Sequence, residues 1–301
     1  MTSDLTTRAR PGALRLPAGA RRTLTPYLFA LPALIYLIGL LAYPMVLNVV
    51  TSFRDVTAMN LLSGDADWVG WSNYRQAFSD SQFVDATVHS VLYSLGSVAI
   101  QLVVGMALAL LYLPLARGLS ALYLIGYAIP IVVTAEVFRW LLDGKTGFVN
   151  WLFGLHDVYW LADRHLALPA MIGVQVWLGV PFAMVTLLAG LTAIPRELFE
   201  ASAIDGAGSG ARFRYVTLPL LRPTILAAGI LSLIFTFKNF DLIWIATQGG
   251  PANASEVLPT LGYKLVFLQF LFGKGAAVLN VIFVVLFLLS LVYVRQVRRE
   301  D

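Results

Sequence analysis

The feature that most constrains this chain is a series of six long apolar segments separated by polar ones. Each is long enough to cross the roughly 30 Å hydrocarbon layer of a bilayer as a helix rising about 1.5 Å per residue. Only 13% of the 301 residues are charged and 58% are hydrophobic, too few polar groups to cover a water-soluble globule. The sequence therefore predicts an all-α integral membrane protein with six transmembrane helices. The expected spans are approximately Pro26–Val50, Ala86–Leu113, Leu119–Leu142, Leu166–Leu191, Pro223–Ile245 and Ala276–Val294.

Basic residues in the connecting segments predict the orientation of these spans, since positively charged flanks stay in the cytoplasm. One set of alternate segments, which includes both termini, carries a net charge of +7, and the opposite set carries −3. Both termini are therefore expected in the cytoplasm, with residues 1–25 as an N-terminal tail and residues 26–301 as the transmembrane domain. This asymmetry also accounts for the basic balance of the chain, so binding of nucleic acid is not expected.

A further apolar stretch, Glu256–Phe272, is short and contains Pro259, Gly262 and Lys264. A seventh span here would move the arginine-rich C-terminus to the outside, against the charge asymmetry. We therefore expect an interfacial helix on the outer face. Membrane lipid is an expected partner of the whole chain.

The longest cytoplasmic connection, about residues 192–222, has the pattern of two short helices around a glycine bend. Pro195 and Glu197 suit the first turn of a helix, and Gly206 suits its end because glycine adopts the left-handed conformation freely. A second short helix is expected after it, and Pro223 is expected to begin the next span. Two short helices around a bend form a compact knob that suits the groove of a partner protein.

This loop contains the run Glu200-Ala-Ser-Ala-Ile-Asp-Gly-Ala207, followed by Phe213 and Leu218-Pro219. The pattern resembles the "EAA" loop of binding-protein-dependent ABC-transporter permeases, with serine at position 202 where that family usually has alanine. Further along the chain, Phe240–Trp244 and the segment Thr247-Gln-Gly-Gly-Pro251 resemble the sugar-permease branch of the family, the maltose and glycerol-phosphate class.

The resemblance implies a bacterial inner-membrane protein that forms half of the translocation pathway of an ATP-driven importer for a carbohydrate or related polyol phosphate. It also implies a second homologous permease subunit, two ATP-binding subunits that hydrolyse the ATP, and an extracytoplasmic solute-binding protein. The chain itself is then not an enzyme, and no catalytic residue, metal or cofactor is expected in it. Coupling to the ATP-binding subunit is implied for five residues of the EAA-type coupling loop: Glu200, Ala201, Asp205, Gly206 and Ala207.

Polar side chains within the spans are candidates for the substrate pathway, because such groups are costly in hydrocarbon and usually face protein or water. A sugar needs hydrogen-bonding groups for its hydroxyls and aromatic faces for its C–H surfaces. The candidates are Gln175, Trp177, Asn239, Asp241 and Trp244. Aromatic residues in spans also serve as packing or interface anchors, so packing is the alternative for each tryptophan.

Two pairs of opposite charge within the spans have i,i+3 spacing, which places both members on one helix face. These pairs are Glu136 with Arg139 and Lys238 with Asp241. Each pair either neutralises itself or lines a polar path. Pro181, in mid-span, removes one helix hydrogen bond and indicates either a packing bend or a hinge.

Other classes of function lack the residues that they need. Gly144-Lys145-Thr146 resembles the end of a P-loop, but Arg139 stands where that motif requires glycine. Gly206-Ala-Gly208-Ser-Gly-Ala211 follows a helical pattern, whereas a dinucleotide site requires a preceding strand. The remaining alternatives are an importer permease for a non-sugar solute and an ion-coupled secondary transporter, which would need ion sites and usually internal repeats.

Overall fold

A computed structural model describes residues 18–112 and 129–298 of the chain. Regular structure in these residues is entirely helical, apart from one isolated β-bridge between Arg54 and Trp68. Five of the described helices are long and apolar enough to cross a membrane: Phe29–Ser52, Ser81–Tyr112, Ala167–Ala193, Ser209–Phe237 and Phe272–Gln296. The prediction of an all-helical membrane protein is thus confirmed, with five spans identified among the described residues. Of the predicted third span, Leu119–Leu142, residues 131–141 are helical, and residues 119–128 lie outside the described ranges.

The chain divides into two units, Met1–Val50 and Thr51–Asp301. The first unit is described from Ala18 onward as one helical run, so its helix begins inside the segment 1–25 that was expected to be a tail. The run consists of α1 (Ala18–Leu37), a π-helical turn (Ile38–Ala42) and α2 (Tyr43–Ser52).

The second unit is built around four long helices that pack together, with shorter helices in the connections. The long helices are Ser81–Tyr112, Ala167–Ala193, Leu218–Phe237 and Phe272–Val297. Two further π-helical turns, Phe213–Thr217 and Lys264–Leu268, extend neighbouring helices. In chain order the helices are α3 (Ala58–Leu61), α4 (Ser72–Ser79), α5 (Ser81–Tyr112), α6 (Ile131–Leu141), α7 (Phe148–Phe153), α8 (Ala167–Ala193), α9 (Arg196–Ile204), α10 (Ser209–Arg212), α11 (Leu218–Phe237), α12 (Asp241–Ala246), α13 (Leu258–Tyr263) and α14 (Phe272–Val297).

Helices α5 and α8 approach each other closely at two glycines. A Cβ atom added to Gly105 would lie 2.8 Å from the Cβ atom of Ala183, and one added to Gly179 would lie 2.1 Å from the side chain of Gln101. Close packing of this kind through small residues is typical of helix pairs in membranes. Pro181 lies between the two contacts, and α8 continues through it without a break.

The predicted fifth span, Pro223–Ile245, is wrong at both ends. The helical run begins at Ser209, passes through the turn Phe213–Thr217 and contains Pro223 in its interior. A proline removes only one hydrogen bond, and a membrane helix tolerates this loss where other groups satisfy the freed carbonyl. The run ends at Phe237. Residues 238–240 are not helical, and α12 begins after them as a separate helix.

The two predicted charge pairs have different outcomes. Arg139 Nη1 lies 3.0 Å from Glu136 Oε1, and both side chains are exposed. Lys238 and Asp241 are separated by the break after α11 and form no ion pair in the described part of the chain. The ammonium of Lys238 instead lies 5.0 Å from the ring centroid of Phe235.

The stretch Glu256–Phe272 forms α13 and the π-helical turn after it, which together are too short to span a bilayer. Its first half is covered by protein, since Leu258–Gly262 are all buried, and its position at the outer membrane surface stays a prediction. Leu258 and Leu261 pack in one cluster with Phe83 of α5 and Val278 of α14. Burial against these long helices holds α13 inside the protein.

Candidate functional site

An open cavity of about 250 Å³ is lined by residues of α5, α6, α8 and α11 and by the break that follows α11. Its wall combines amide and hydroxyl groups with two phenylalanine rings and aliphatic side chains. None of the described residues that line it carries a charge. They are Gln101, Ile131, Gln175, Leu178, Gly179, Phe182, Ser232, Phe235, Thr236 and Asn239.

The side chain of Gln175 connects the polar wall of this cavity. Its Oε1 accepts hydrogen bonds from the hydroxyl of Tyr93 and from Nδ2 of Asn239, each at 2.9 Å. Its Nε2 donates to Oγ1 of Thr236 at 3.2 Å, and Gln101 Nε2 donates to the main-chain oxygen of Gln175 at 2.9 Å. Gln175 therefore joins α5, α8, α11 and the residues after α11 in a single network.

This network determines which groups remain for a solute. Both lone pairs of Gln175 Oε1 are used within the protein, so this atom orients its neighbours and does not accept from a ligand. Ser232 and Gln101 line the same cavity, and no hydrogen bond among the described residues uses Ser232 Oγ or Gln101 Oε1. Phe182 and Phe235 add aromatic surface beside them.

The five candidate pathway residues are not all in one place. Gln175 and Asn239 lie together in the cavity and bond to each other. Trp177 is 56% exposed, and its ring centroid lies 6.0 Å from that of Phe138 in α6. Asp241 is exposed at the first residue of α12.

Trp244, the fifth candidate, belongs to a row of four aromatic rings next to Asn239. Its ring stacks on Phe240 with centroids 5.4 Å apart and lies 4.6 Å from Tyr263. Tyr263 in turn lies 4.9 Å from Phe267. The row connects α12 to α13 and to the turn that follows it.

Four polar residues of this cavity and its network are not among those predicted from sequence: Tyr93, Gln101, Ser232 and Thr236. Residues 93 and 101 are eight apart and residues 232 and 236 four apart, which places each pair on one face of its helix. Such polar positions at helical spacing inside apolar spans could have identified them.

The segment predicted to contact the ATP-binding subunit forms the helix α9 followed by a left-handed turn. Gly206 has φ +79°, the amide of Gly206 donates to Ala203 O at 3.1 Å, and the amide of Ala207 donates to Ser202 O at 2.9 Å. Phe199 packs against the apolar cluster that contains Leu191. The helix is thus held to the bundle by one face.

The opposite face of this segment is open. Glu200, Ala201, Asp205 and Gly206 are exposed, and Ala207 is half-buried. Ile204, at the end of α9, is 87% exposed. An apolar side chain that protrudes so far beside two carboxylates suits a contact with another protein.

A buried ion pair beneath the Gly249-Gly250-Pro251 loop was not anticipated. The Glu256 side chain is 0% exposed, and the ammonium of Lys264 donates a hydrogen bond to its Oε2. A Cβ atom on Gly249, which has φ +81°, would lie 2.7 Å from this carboxylate. The main-chain oxygen of Glu256 bonds His89 Nδ1 at 3.1 Å. The glycine thus leaves room for the carboxylate, which pairs with Lys264 in the turn after α13.

Comparison with known proteins gives a consistent result. Residues 101–300 match the family described as "Binding-protein-dependent transport system inner membrane component". The diacetylchitobiose uptake system permease protein DasB of Streptomyces coelicolor is 33% identical over 301 residues, covering 96% of this chain and 92% of that protein. The trehalose/maltose transport system permease protein MalF of Thermococcus litoralis is 32% identical over 276 residues, covering 89% and 92%.

A solved structure has the same fold. One chain of a bacterial alginate ABC transporter, in complex with an alginate pentasaccharide-bound periplasmic protein, superimposes with a TM-score of 0.77. The superposition covers 93% of this chain and 96% of that chain, with 22% sequence identity.

Proposed function

Because this chain belongs to the family of binding-protein-dependent transport system inner membrane components, we propose that it forms half of the translocation pathway of an ATP-driven importer for a neutral carbohydrate. It is a transmembrane permease subunit, related to the sugar permeases of ABC transporters.

The composition of the cavity wall supports a carbohydrate. Amide and hydroxyl groups with no charged side chain suit a solute that carries many hydroxyls and no net charge. A phosphate would instead require a basic group to offset the cost of leaving water. We therefore favour a sugar over a polyol phosphate. The relatives' names, which refer to diacetylchitobiose and to trehalose and maltose, agree with this choice.

Within the cavity, the residues have different roles. Ser232 and Gln101 would exchange hydrogen bonds with substrate hydroxyls, and the rings of Phe182 and Phe235 would contact the C–H faces of a pyranose. Gln175 would keep Asn239 and Thr236 in place. We assign Trp244 to the approach to this cavity, as part of the aromatic row, and leave Trp177 and Asp241 as outlying members of the pathway.

The assembly follows from the family. A second homologous permease would complete the pathway, two ATP-binding subunits would supply the energy, and an extracytoplasmic solute-binding protein would deliver the sugar. The chain would then span the bacterial inner membrane six times, with Leu119–Leu142 as the third span and both termini in the cytoplasm. Residues 26–301 would form one transmembrane domain. ATP hydrolysis would belong to the partner subunits.

The segment around α9 would dock on the ATP-binding subunit. Its anchored face, through Phe199, and its exposed face, with Ile204, would let a rigid-body movement of the ATPase reach α8 and α11. Glu200, Ala201, Asp205, Gly206 and Ala207 are the residues proposed to make or shape this contact.

Two measurements test the function. The assembled importer should show ATPase activity that rises with neutral disaccharides and not with glycerol phosphodiesters. A Ser232→Ala change in the cavity should lower uptake about tenfold, the value of roughly one lost hydrogen bond to substrate, with assembly intact. Transport that persists without ATP and follows an ion gradient would favour a secondary transporter instead.

The coupling role is tested at Gly206. Replacement by valine forces a β-branched residue into a left-handed conformation, so uptake and coupled ATPase activity should both fall. Gly208→Ala is the matched control, because Gly208 has open space around it and an ordinary φ of −67°. Equal activity of the two variants would contradict the docking proposal.

A further inference from the structure

The connection between α6 and α8, residues 142–166, carries one short helix whose large apolar side chains are uncovered. In α7 these side chains are 43–74% exposed: Phe148, Trp151, Leu152 and Phe153. The helix contains no charged residue. Apolar surface left in water is unfavourable by about 25 cal/mol per Å², so a face of this kind is expected to have a partner.

The helix is held firmly in the position that exposes this face. Asn150, on its opposite side, is buried and donates to the main-chain oxygens of Gly144 at 2.8 Å and Val158 at 3.0 Å. The indole Nε1 of Trp160 donates to Asn150 Oδ1 at 2.8 Å. Gly154 ends the helix with φ +62°. The uncovered side chains are therefore presented by a fixed scaffold.

The position of α7 along the chain places it at the end of a membrane span. The same connection leads directly into α8, and its Leu161 packs on the cluster that contains Leu168 and Met171, in the first turns of that span. Helix α9 follows the other end of α8. Since 27 residues of helix cover about 40 Å, α7 lies at the membrane face opposite α9.

The apolar surface of α6 continues toward α7. Exposed side chains along α6 include Val133, Val137 and Trp140, the last of them one residue from the end of the helix. Helix α6 also contacts α7. The charged residues nearest to α7, Lys145 and Asp157, lie outside it on either side. The apolar band thus ends in α7 and polar residues flank it.

We propose that α7 is an interfacial anchor whose apolar side chains insert into the headgroup and acyl boundary of the bilayer leaflet opposite α9. Tryptophan and phenylalanine are suited to this depth, since aromatic rings concentrate at membrane interfaces. A helix lying there buries its apolar face about 5–10 Å into the headgroup and acyl boundary. The partner of this surface is lipid, and the anchor fixes the depth of the connection between α6 and α8 relative to the bilayer. The inference needs only a membrane-embedded chain and is independent of the substrate.

Brominated phospholipids test this contact, because bromine quenches only tryptophans close to it. The assembled importer is reconstituted in phosphatidylethanolamine and phosphatidylglycerol vesicles whose acyl chains carry bromine either near the headgroup or near the chain end. The emission of Trp151 is obtained as the difference between the wild type and Trp151→Phe. Trp160→Phe is the matched control, because Trp160 lies in the same connection and is bonded to Asn150.

The expected result is a roughly twofold fall of the Trp151 emission with bromine near the headgroup, a smaller fall with bromine near the chain end, and little change for Trp160. Emission of Trp151 that is unaffected by both lipids would show that another protein surface or water covers α7, and would overturn the proposal. Stronger quenching by the deep bromines would overturn it as well, because α7 would then lie in the hydrocarbon core. Transport activity does not enter this test, so its outcome is separate from that of the proposed function.

Discussion

The buried pair of Glu256 and Lys264 allows a quantitative prediction, because its two members differ in access to water. The Glu256 side chain is 0% exposed and that of Lys264 is 19% exposed. Removing one member of a buried pair leaves an uncompensated charge and costs about 3–5 kcal/mol. Replacing both members by uncharged groups of similar size is often close to neutral.

The difference in exposure predicts an order among the variants. Lys264→Met leaves the fully enclosed carboxylate without a partner and should cost about 5 kcal/mol. Glu256→Gln leaves a lysine whose long side chain can turn toward solvent, so about 3 kcal/mol is expected, or roughly a hundredfold in the unfolding equilibrium. The double variant Glu256→Gln with Lys264→Met should lie within about 1 kcal/mol of the wild type.

The assay is equilibrium unfolding of the purified importer in mixed micelles with increasing dodecyl sulfate, followed by tryptophan fluorescence. The four proteins form a double-mutant cycle, so the interaction between the two residues is measured directly. A double variant destabilised by the sum of the single changes would refute the reasoning, because the two side chains would then act independently. A larger cost for Glu256→Gln than for Lys264→Met would refute the argument from exposure.

Two further predictions concern α8 and the loop before α7. Gly179→Ala should force the Gln101 side chain away, lower the unfolding free energy by about 1–3 kcal/mol and reduce uptake. The control is Gly173→Ala, which should change neither, because no atom lies within 4 Å of the added Cβ. Equal stability of the two variants would count against the close contact between Gly179 and Gln101. Hydrogen bonds from the amide and hydroxyl of Thr146 and the amide of Lys145 hold the pKa of Asp143 below its usual range. Because the pKa of Asp143 is lower in the folded than in the unfolded state, its ionised carboxylate stabilises the fold. This stabilisation is fully present above about pH 4 and is lost as the pH falls through the pKa of the folded state. A carboxyl NMR titration that gives Asp143 an ordinary or raised pKa would contradict this.

The helical spans could be predicted from sequence because the bilayer imposes their length. Leu166–Leu191 was expected and Ala167–Ala193 is observed, since roughly 20 apolar residues admit few other arrangements in hydrocarbon. The rule for local helix starts predicts a span that begins at Pro223. In a membrane, continuous backbone hydrogen bonding outweighs that rule, and the helix runs through the proline.

The candidate site was predicted only in part. Gln175 and Asn239 could be identified because amides are unusual in apolar spans. Tyr93 and Thr236, which bond the side chain of Gln175, are 82 and 61 residues away from it in sequence, and a tyrosine or threonine in a helix is ordinary by itself. Glu256 was missed because its ion pair depends on a loop conformation that hydropathy does not report. Distance in sequence, more than composition, limited the prediction.

The two glycine contacts between α5 and α8 bear on how this protein can move. Pro181 lies between Gly179, which touches Gln101, and Ala183, which touches Gly105. If α8 bent at Pro181, one of these two contacts would have to break. We therefore expect α5 and α8 to move together as one rigid body. Relatives should then show paired replacements at positions 105 and 183, and the flexing that importers require should fall outside this pair, at the non-helical residues 238–240 or at the left-handed turn after α9.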